Sequence, residues 1–136
     1  MPFTTTFRIG SVYSNEELYT EFQCANMGGM RKSNTTNTLV IISDHTKPLY
    51  DDQWNNGILN YTGMGKVGNQ DINFMQNKTL NESRTNGVQV HLFEVYTRGA
   101  YTYKGEVELA GNPFSETQLD DHGNQRQVWM FPLRIK

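Results

Sequence analysis

Two neighbouring runs restrict the fold more than any other part of the chain. Val88-Gln89-Val90-His91-Leu92-Phe93-Glu94-Val95-Tyr96 and Tyr101-Thr102-Tyr103-Lys104-Gly105-Glu106-Val107-Glu108-Leu109 alternate with period two and flank Arg98-Gly99. Period two puts successive side chains on opposite faces of a strand, so the two runs predict an antiparallel pair around a short glycine turn. Other segments extend the sheet. Phe7 to Tyr13 alternates as a first strand, Thr38 to Ser43 is a short apolar β-branched run of a buried strand, and Gly57 to Thr62 reads as another. Gln127 to Ile135 closes the series after a polar turn over Gln118 to Asn124. Helices are few. Ser14 stands three residues before Glu17, a capping-box spacing that opens a short helix to about Cys24, and a second helix is predicted over Gln76 to Arg84, ended by Asn86-Gly87. Asn26 to Met30 reads as a flexible turn and Asp44 to Tyr50 as a loop. Many strands and two short helices predict an α+β fold, a strongly curved sheet or small barrel with the helices packed outside.

At 136 residues the whole chain, 1–136, fits one domain with a sizeable core. No apolar run approaches the roughly 18 residues of a membrane span, and the N-terminus lacks the basic and apolar regions of a signal peptide. Cys24 is the only cysteine, which excludes an internal disulfide and a cysteine-based zinc site. These features point to a reducing, cytoplasmic setting, so the four glycosylation-pattern matches at Asn34, Asn60, Asn77 and Asn81 read as by-products of an Asn/Thr-rich composition. The net charge of −2 gives no global drive toward nucleic acid. Within 28–85, however, six basic residues face five acidic ones, which allows a small basic face.

Gly63-Met64-Gly65-Lys66-Val67-Gly68 has the GxGxxG spacing of dinucleotide sites. The polar Asn69-Gln70-Asp71 follows where a helix should start, so a tight turn is the better reading. His45, His91 and His122 are far apart in sequence and have no partners at ligand spacing, and His91 reads as exposed or locally bonded. Neither a metal site, a cofactor site nor a catalytic triad can be singled out. Most of the aromatics suit the core or cross-strand pairs. Tyr50 and Tyr61 differ because they flank a polar loop with Asp51-Asp52 on one side and Thr62-Gly63-Met64-Gly65 on the other. Two phenol rings and a carboxylate suit a pocket for a flat polar ring, as when a nucleobase is held out of its stack.

The order of these segments resembles the SRA (also YDG) domains, modified-cytosine readers of the PUA-like fold. It is more similar still to the SRA-like domains fused to HNH nucleases in modification-dependent restriction enzymes of the McrA type. The likeness covers about residues 6–135 and is most specific at Tyr61-Thr62-Gly63-Met64-Gly65 with Gln70, and at Asn77-Lys78-Thr79-Leu80. It implies a curved, barrel-like sheet that flips a 5-methyl- or 5-hydroxymethylcytosine out of duplex DNA. Tyr50 and Tyr61 would sandwich the base, Asp52 or Asp51 would accept from its N4, and Thr62 with the Gly63–Gly65 backbone would line the pocket. Arg31, Lys32, Lys66 and Lys78 would contact phosphates. The chain departs from the family pattern in three places. Only Met64 to Asn69 separates Tyr-Thr-Gly from Gln70, where eukaryotic members carry a long insertion, so discrimination of hemimethylated CpG should be absent or differently achieved. Asn69 stands where many relatives have Asp. Tyr50-Asp51-Asp52 is one residue shorter than Tyr-x-Asp-Asp, which leaves the two acids unseparated.

With no nuclease motif in the chain, the expected function is that of a recognition domain and not of an enzyme, with cutting left to another part of a parent protein or a stand-alone reader as the variant. A two-fold reader, a homodimer formed through a region not seen here, would fit palindromic sites. The alternative in another class is a PUA-like nucleotide- or RNA-base-binding protein or small enzyme. A third is a partner-binding β domain without a base pocket.

Overall fold

The structure is a computed structural model that describes residues 2–47, 52–120 and 122–136. Its elements in chain order are β1 (Val12–Tyr13), α1 (Asn15–Phe22), β2 (Met30–Ser33), β3 (Thr38–Asp44), β4 (Gln53–Asn55), β5 (Ile58–Thr62), α2 (Gln76–Asn81), β6 (Gln89–Thr97), β7 (Ala100–Leu109), β8 (Phe114–Leu119) and β9 (Gln125–Ile135). Among the described residues the strands join one nine-stranded sheet in the order β2-β3-β6-β7-β9-β5-β4, with β1 on β7 and β8 on β9. The path is open, with β2 at one end and β4 at the other, so the α+β expectation holds with an open sheet and not a closed barrel.

The hairpin read from the alternation is present as β6 and β7, with Val90 opposite Val107 and Thr97 opposite Ala100. The apolar run of β3 lies parallel to β6, from Thr38 opposite Gln89 to Asp44 opposite Val95. A strand in that position is buried on both faces, which is why the run does not alternate. Leu39 and Ile41 join a core with Leu59, Tyr61, Leu80, Leu92, Phe131 and Leu133. Val40 and Ile42 point the other way, toward Leu18, Phe22, Phe93, Val95 and Tyr103. Helix α1 supplies Leu18 and Phe22 to that second core and begins with the predicted capping box: Glu17 N–H donates to Ser14 Oγ at 3.1 Å and Ser14 N–H to Glu17 Oε1 at 2.9 Å.

Several boundaries differ from the expectation. The first strand shrinks to Val12–Tyr13 because Phe7 leaves the extended path to stack on Tyr13, ring centroids 3.7 Å apart, and to pack its edge against Phe22 and Phe93. Three strands were not foreseen: β2 beside the Gly28-Gly29 turn, β4, and β8, which occupies part of the predicted polar turn. All of β4 is exposed, and β8 nearly so, so neither carries an apolar pattern to find. The second helix is shorter than expected and ends at Asn81.

His91 is locally bonded, not exposed. Its Nε2 donates to Gln89 Oε1 at 3.2 Å, leaving Nδ1 to accept from the Tyr103 hydroxyl at 2.8 Å. Burial disfavours the charged ring and lowers its pKa to about 4 from 6.5, against a smaller upward pull from Glu106. A histidine lowered in the fold contributes stability above its unfolded pKa and loses it as pH falls toward the folded value. Stability should therefore drop by about 3 kcal/mol between pH 6.5 and pH 4 on this account. A His91→Gln variant should show a flatter urea-midpoint profile over that window, and an unchanged slope would remove His91 as its source.

Candidate nucleic-acid interface

The glycine turn after β5 is held from beneath by three buried polar side chains. Gln70 Nε2 donates to Gly63 O at 2.7 Å and Gly65 O at 3.1 Å, while its Oε1 accepts from Trp129 N–H at 2.8 Å. Asn77, fully buried on α2, accepts from Met64 N–H at 2.7 Å and donates to Met64 O at 3.1 Å and Asp71 O at 3.0 Å. Arg126 on β9 reaches Gly65 O through Nη1. Only glycine serves at 63, where an added Cβ would stand 2.8 Å from Asn77 Oδ1 and 3.0 Å from the Phe131 ring. Gly65 has φ +121, open to glycine and strained for other residues. Asn69, the departure from the family pattern, accepts from Gln127 N–H at 2.8 Å and ties the turn to β9 without a charge. The GxGxxG spacing is thus a latched turn after an antiparallel strand, with no helix at its end.

Tyr50 and Asp51 lie outside the described residues. Asp52 sits at the mouth of the turn, half-buried. Its Oδ1 accepts from Thr62 N–H at 2.7 Å and its Oδ2 from Ser43 Oγ at 2.9 Å. Burial raises its pKa, and the Thr62 and Ser43 hydrogen bonds and the nearby His45 only partly offset this. Thr62 is buried, with Oγ1 on Met130 Sδ at 3.6 Å, and both its backbone and its side chain help to hold Asp52. Tyr61 is 5% exposed, packed in the first core, and its hydroxyl proton lies between Gly29 O at 2.9 Å and Ile42 O at 3.0 Å.

The four basic residues expected at phosphates part company. Lys66 is exposed on the turn, and Lys78 is exposed on α2 with Glu82 at 3.1 Å. Lys32 on β2 is half-buried and bonds Ser33 O and Asn34 Oδ1, both at 3.1 Å. Arg31 is a correction. It is 4% exposed, donates to Gly28 O and Asn15 Oδ1, and lies over the Tyr101 ring, so its charge holds the Gly28-Gly29 turn to α1 and is not presented at the surface.

A second polar cluster was missed from the sequence. Glu94, in the middle of β6 and 1% exposed, accepts at Oε2 from Trp54 Nε1–H at 3.0 Å and His45 Nε2 at 2.7 Å, and Lys104 Nζ lies 3.5 Å from Oε1. The Tyr96 hydroxyl adds another bond to it. Burial pushes the Glu94 carboxyl up, but those hydrogen bonds and the Lys104 charge outweigh it and hold the pKa below the ordinary value. Burial and the bond to Glu94 push the Tyr96 phenol up to about 12. Two β-bulges aim the partners. Lys104 is unopposed on β7 between the Leu92–Gly105 and Phe93–Tyr103 pairs, and Tyr96 is unopposed on β6 between Val95–Tyr101 and Thr97–Ala100. The available signal was a carboxylate inside Leu92-Phe93-Glu94-Val95, since a fully buried acid must be paired.

Comparisons with solved structures give the same architecture. The sulfur binding domain and SRA domain of ScoMcrA, complexed with phosphorothioated DNA, matches with TM-score 0.77 and 15% identity over 95% of this chain and 40% of that one. The DNA recognition domain of the cytosine modification-dependent restriction endonuclease LpnPI gives TM-score 0.72 and 18% identity over 93% and 72%. The SUVH5 SRA domain with fully methylated CG DNA gives 0.73 and 22% over 100% and 94%. The chain thus spans under half of the ScoMcrA chain it matches. A search of curated proteins finds no match. The profile of the ScoMcrA-like SRA domain family, however, matches residues 9–135, and the chain belongs to that family.

Proposed function

We propose that this chain binds duplex DNA and reads a modified cytosine, 5-methyl or 5-hydroxymethyl, turned out of the helix beside Asp52. The observation that carries the reading is the Asp52 carboxyl, held by Thr62 N–H and Ser43 Oγ at the mouth of a latched glycine turn in an SRA-family chain. Cytosine presents an N4 amino donor beside the N3 acceptor. A carboxyl raised by burial can accept from N4 and, with its proton, donate to N3. Tyr50 takes one face of the base, and Tyr61, 5% exposed, backs the pocket from the core. The backbone of Thr62, Gly63 and Gly65 lines the edge. Flipping costs a few kcal/mol, so phosphate contacts must add affinity. Lys66, Lys78 and Lys32 are the candidates for it.

Solved relatives bound to phosphorothioated and methylated DNA support the DNA partner. The ScoMcrA and LpnPI likenesses support a place as the specificity domain of a modification-dependent restriction enzyme, with a nuclease such as an HNH domain supplied elsewhere and two copies meeting a palindromic site.

The test is a titration against matched duplexes carrying C, 5-methyl-C, 5-hydroxymethyl-C or N6-methyl-A. One modified cytosine should bind best, with log affinity falling linearly in log salt. Equal, weak binding to all four would overturn the reading, and tight salt-insensitive binding of a free nucleotide would favour the small-ligand alternative.

A further inference from the structure

Asp52 and Trp54 are two residues apart where the chain enters β4, so the strand period turns both side chains to the same side. That side faces the paired Ser43 of β3 and Glu94 of β6, of which Ser43 holds Asp52 and Glu94 holds the indole. Trp54 is 37% exposed although its one polar atom is bonded to a carboxylate that is itself buried. The Nε1 edge of the indole is therefore held while over a third of the residue stays open to solvent. Tyr96 stacks on His45 with ring centroids 5.0 Å apart and planes 11° apart, beside the same carboxylate.

Burying a carboxylate is costly unless it is paired, and this one is paired by polar edges of three rings and by a lysine. The bulges at Lys104 and Tyr96 interrupt the longest antiparallel pairing of the sheet to bring two of those partners in. Apolar side chains could close the same corner without that desolvation cost. What the arrangement provides is a tryptophan of set plane next to the carboxyl that reads the base, in a chain whose neighbouring phenol, Tyr61, is sunk in the core.

We propose that Trp54 is a stacking contact for the nucleotide that enters beside Asp52, and that Glu94 is the positioning residue that sets the plane of the indole. The proposal rests on the base-reading function proposed above. Stacking on an aromatic side chain tolerates any base, so Trp54 contributes affinity, while Asp52 and the turn carry the discrimination.

Trp54 and Trp129 are the two tryptophans, so Trp129→Phe leaves Trp54 as the single indole reporter. In that background, titration with the preferred modified duplex should quench Trp54 emission in step with binding measured independently by fluorescence anisotropy of labelled DNA. Trp54→Ala should weaken binding of the modified duplex by about 5- to 150-fold, and Trp54→Phe should recover most of the loss. The salt slope should stay unchanged in both. A purely structural role for Trp54 would lower the melting temperature without quenching on binding, and that outcome would overturn the proposal. Where Trp54→Ala does not fold, the quench and the Trp54→Phe affinity decide. A protein that prefers no modified duplex by anisotropy sinks the base-reading function itself. One that binds the modified duplex with unquenched Trp54 and an unaffected Trp54→Ala affinity sinks only the stacking contact.

Discussion

Asn77→Ala should be the most damaging single truncation near the glycine turn, destabilising the protein by about 3 kcal/mol. The side chain is fully buried and makes three hydrogen bonds, to Met64 N–H, Met64 O and Asp71 O. Alanine leaves all three backbone groups without that partner. Each buried unsatisfied group costs roughly 1–3 kcal/mol, and neighbouring losses in one network are not additive. For a chain of this size the melting temperature should fall by roughly 10 °C. Binding should suffer beyond the loss of folded protein, because the turn from Gly63 to Gly65 loses the residue that joins it to α2. Asn77→Asp is the discriminating control, since it keeps an acceptor for Met64 N–H but sets an oxygen against two carbonyls. Both variants should be impaired in urea denaturation. A midpoint for Asn77→Ala matching that of the unaltered protein would show that the latch carries little energy.

Asp52 should have the largest effect on recognition. Removing the two neutral hydrogen bonds to N4 and N3, at about 0.5–1.5 kcal/mol each, should make Asp52→Ala weaken binding to the preferred modified duplex by roughly 5- to 150-fold. The unmodified duplex should be affected much less. Asp52→Asn makes the sharper comparison. Asparagine can keep Oδ1 on Thr62 N–H and turn its amide group to Ser43 Oγ, while presenting the acceptor and donor pair of a protonated carboxyl. It should retain most of the affinity. The two proteins should then differ in pH dependence. An ionised Asp52 must take up a proton to pair with both N4 and N3, so the affinity of the unaltered protein should weaken as pH rises above the raised Asp52 pKa, approaching tenfold per pH unit. Asp52→Asn should be flat over the same range. Affinity that grows with pH would mean that the ionised carboxylate reads N4 alone.

Asp52 shows how sequence and structure divide the problem. From sequence it is equivalent to Asp51, which lies outside the described residues. The fold places Asp52 opposite the end of β5, within 2.7 Å of Thr62 N–H, because β4 and β5 turn at Asn56-Gly57, both at positive φ. Asn-Gly is a strong hairpin signal, and it stood in the sequence. No hairpin is predicted from it because β4 is three residues long and exposed, with no alternation to mark it. Arg31 is the converse case. A basic residue after Gly-Gly suggested a surface charge, but β2 packs it under the turn, and only the pairing of β2 with β3 decides that.

What the sequence determined by itself is what local physics encodes. The β6–β7 hairpin followed from alternation, the buried β3 from an unbroken apolar run, the α1 start from its capping box, and the glycine turn from residues that tolerate positive φ. The order of these segments was also enough to point to the family. The tertiary structure decided what joins residues far apart in the chain. It placed Gln70, Asn77 and Arg126 under one turn, put Glu94 at the meeting of His45, Trp54, Tyr96 and Lys104, and sank Tyr61 into the core. Periodicity reports which face of an element is apolar and carries no information about which distant polar group will answer a buried charge. That choice is made only when strand register and two bulges bring the groups within hydrogen-bonding distance.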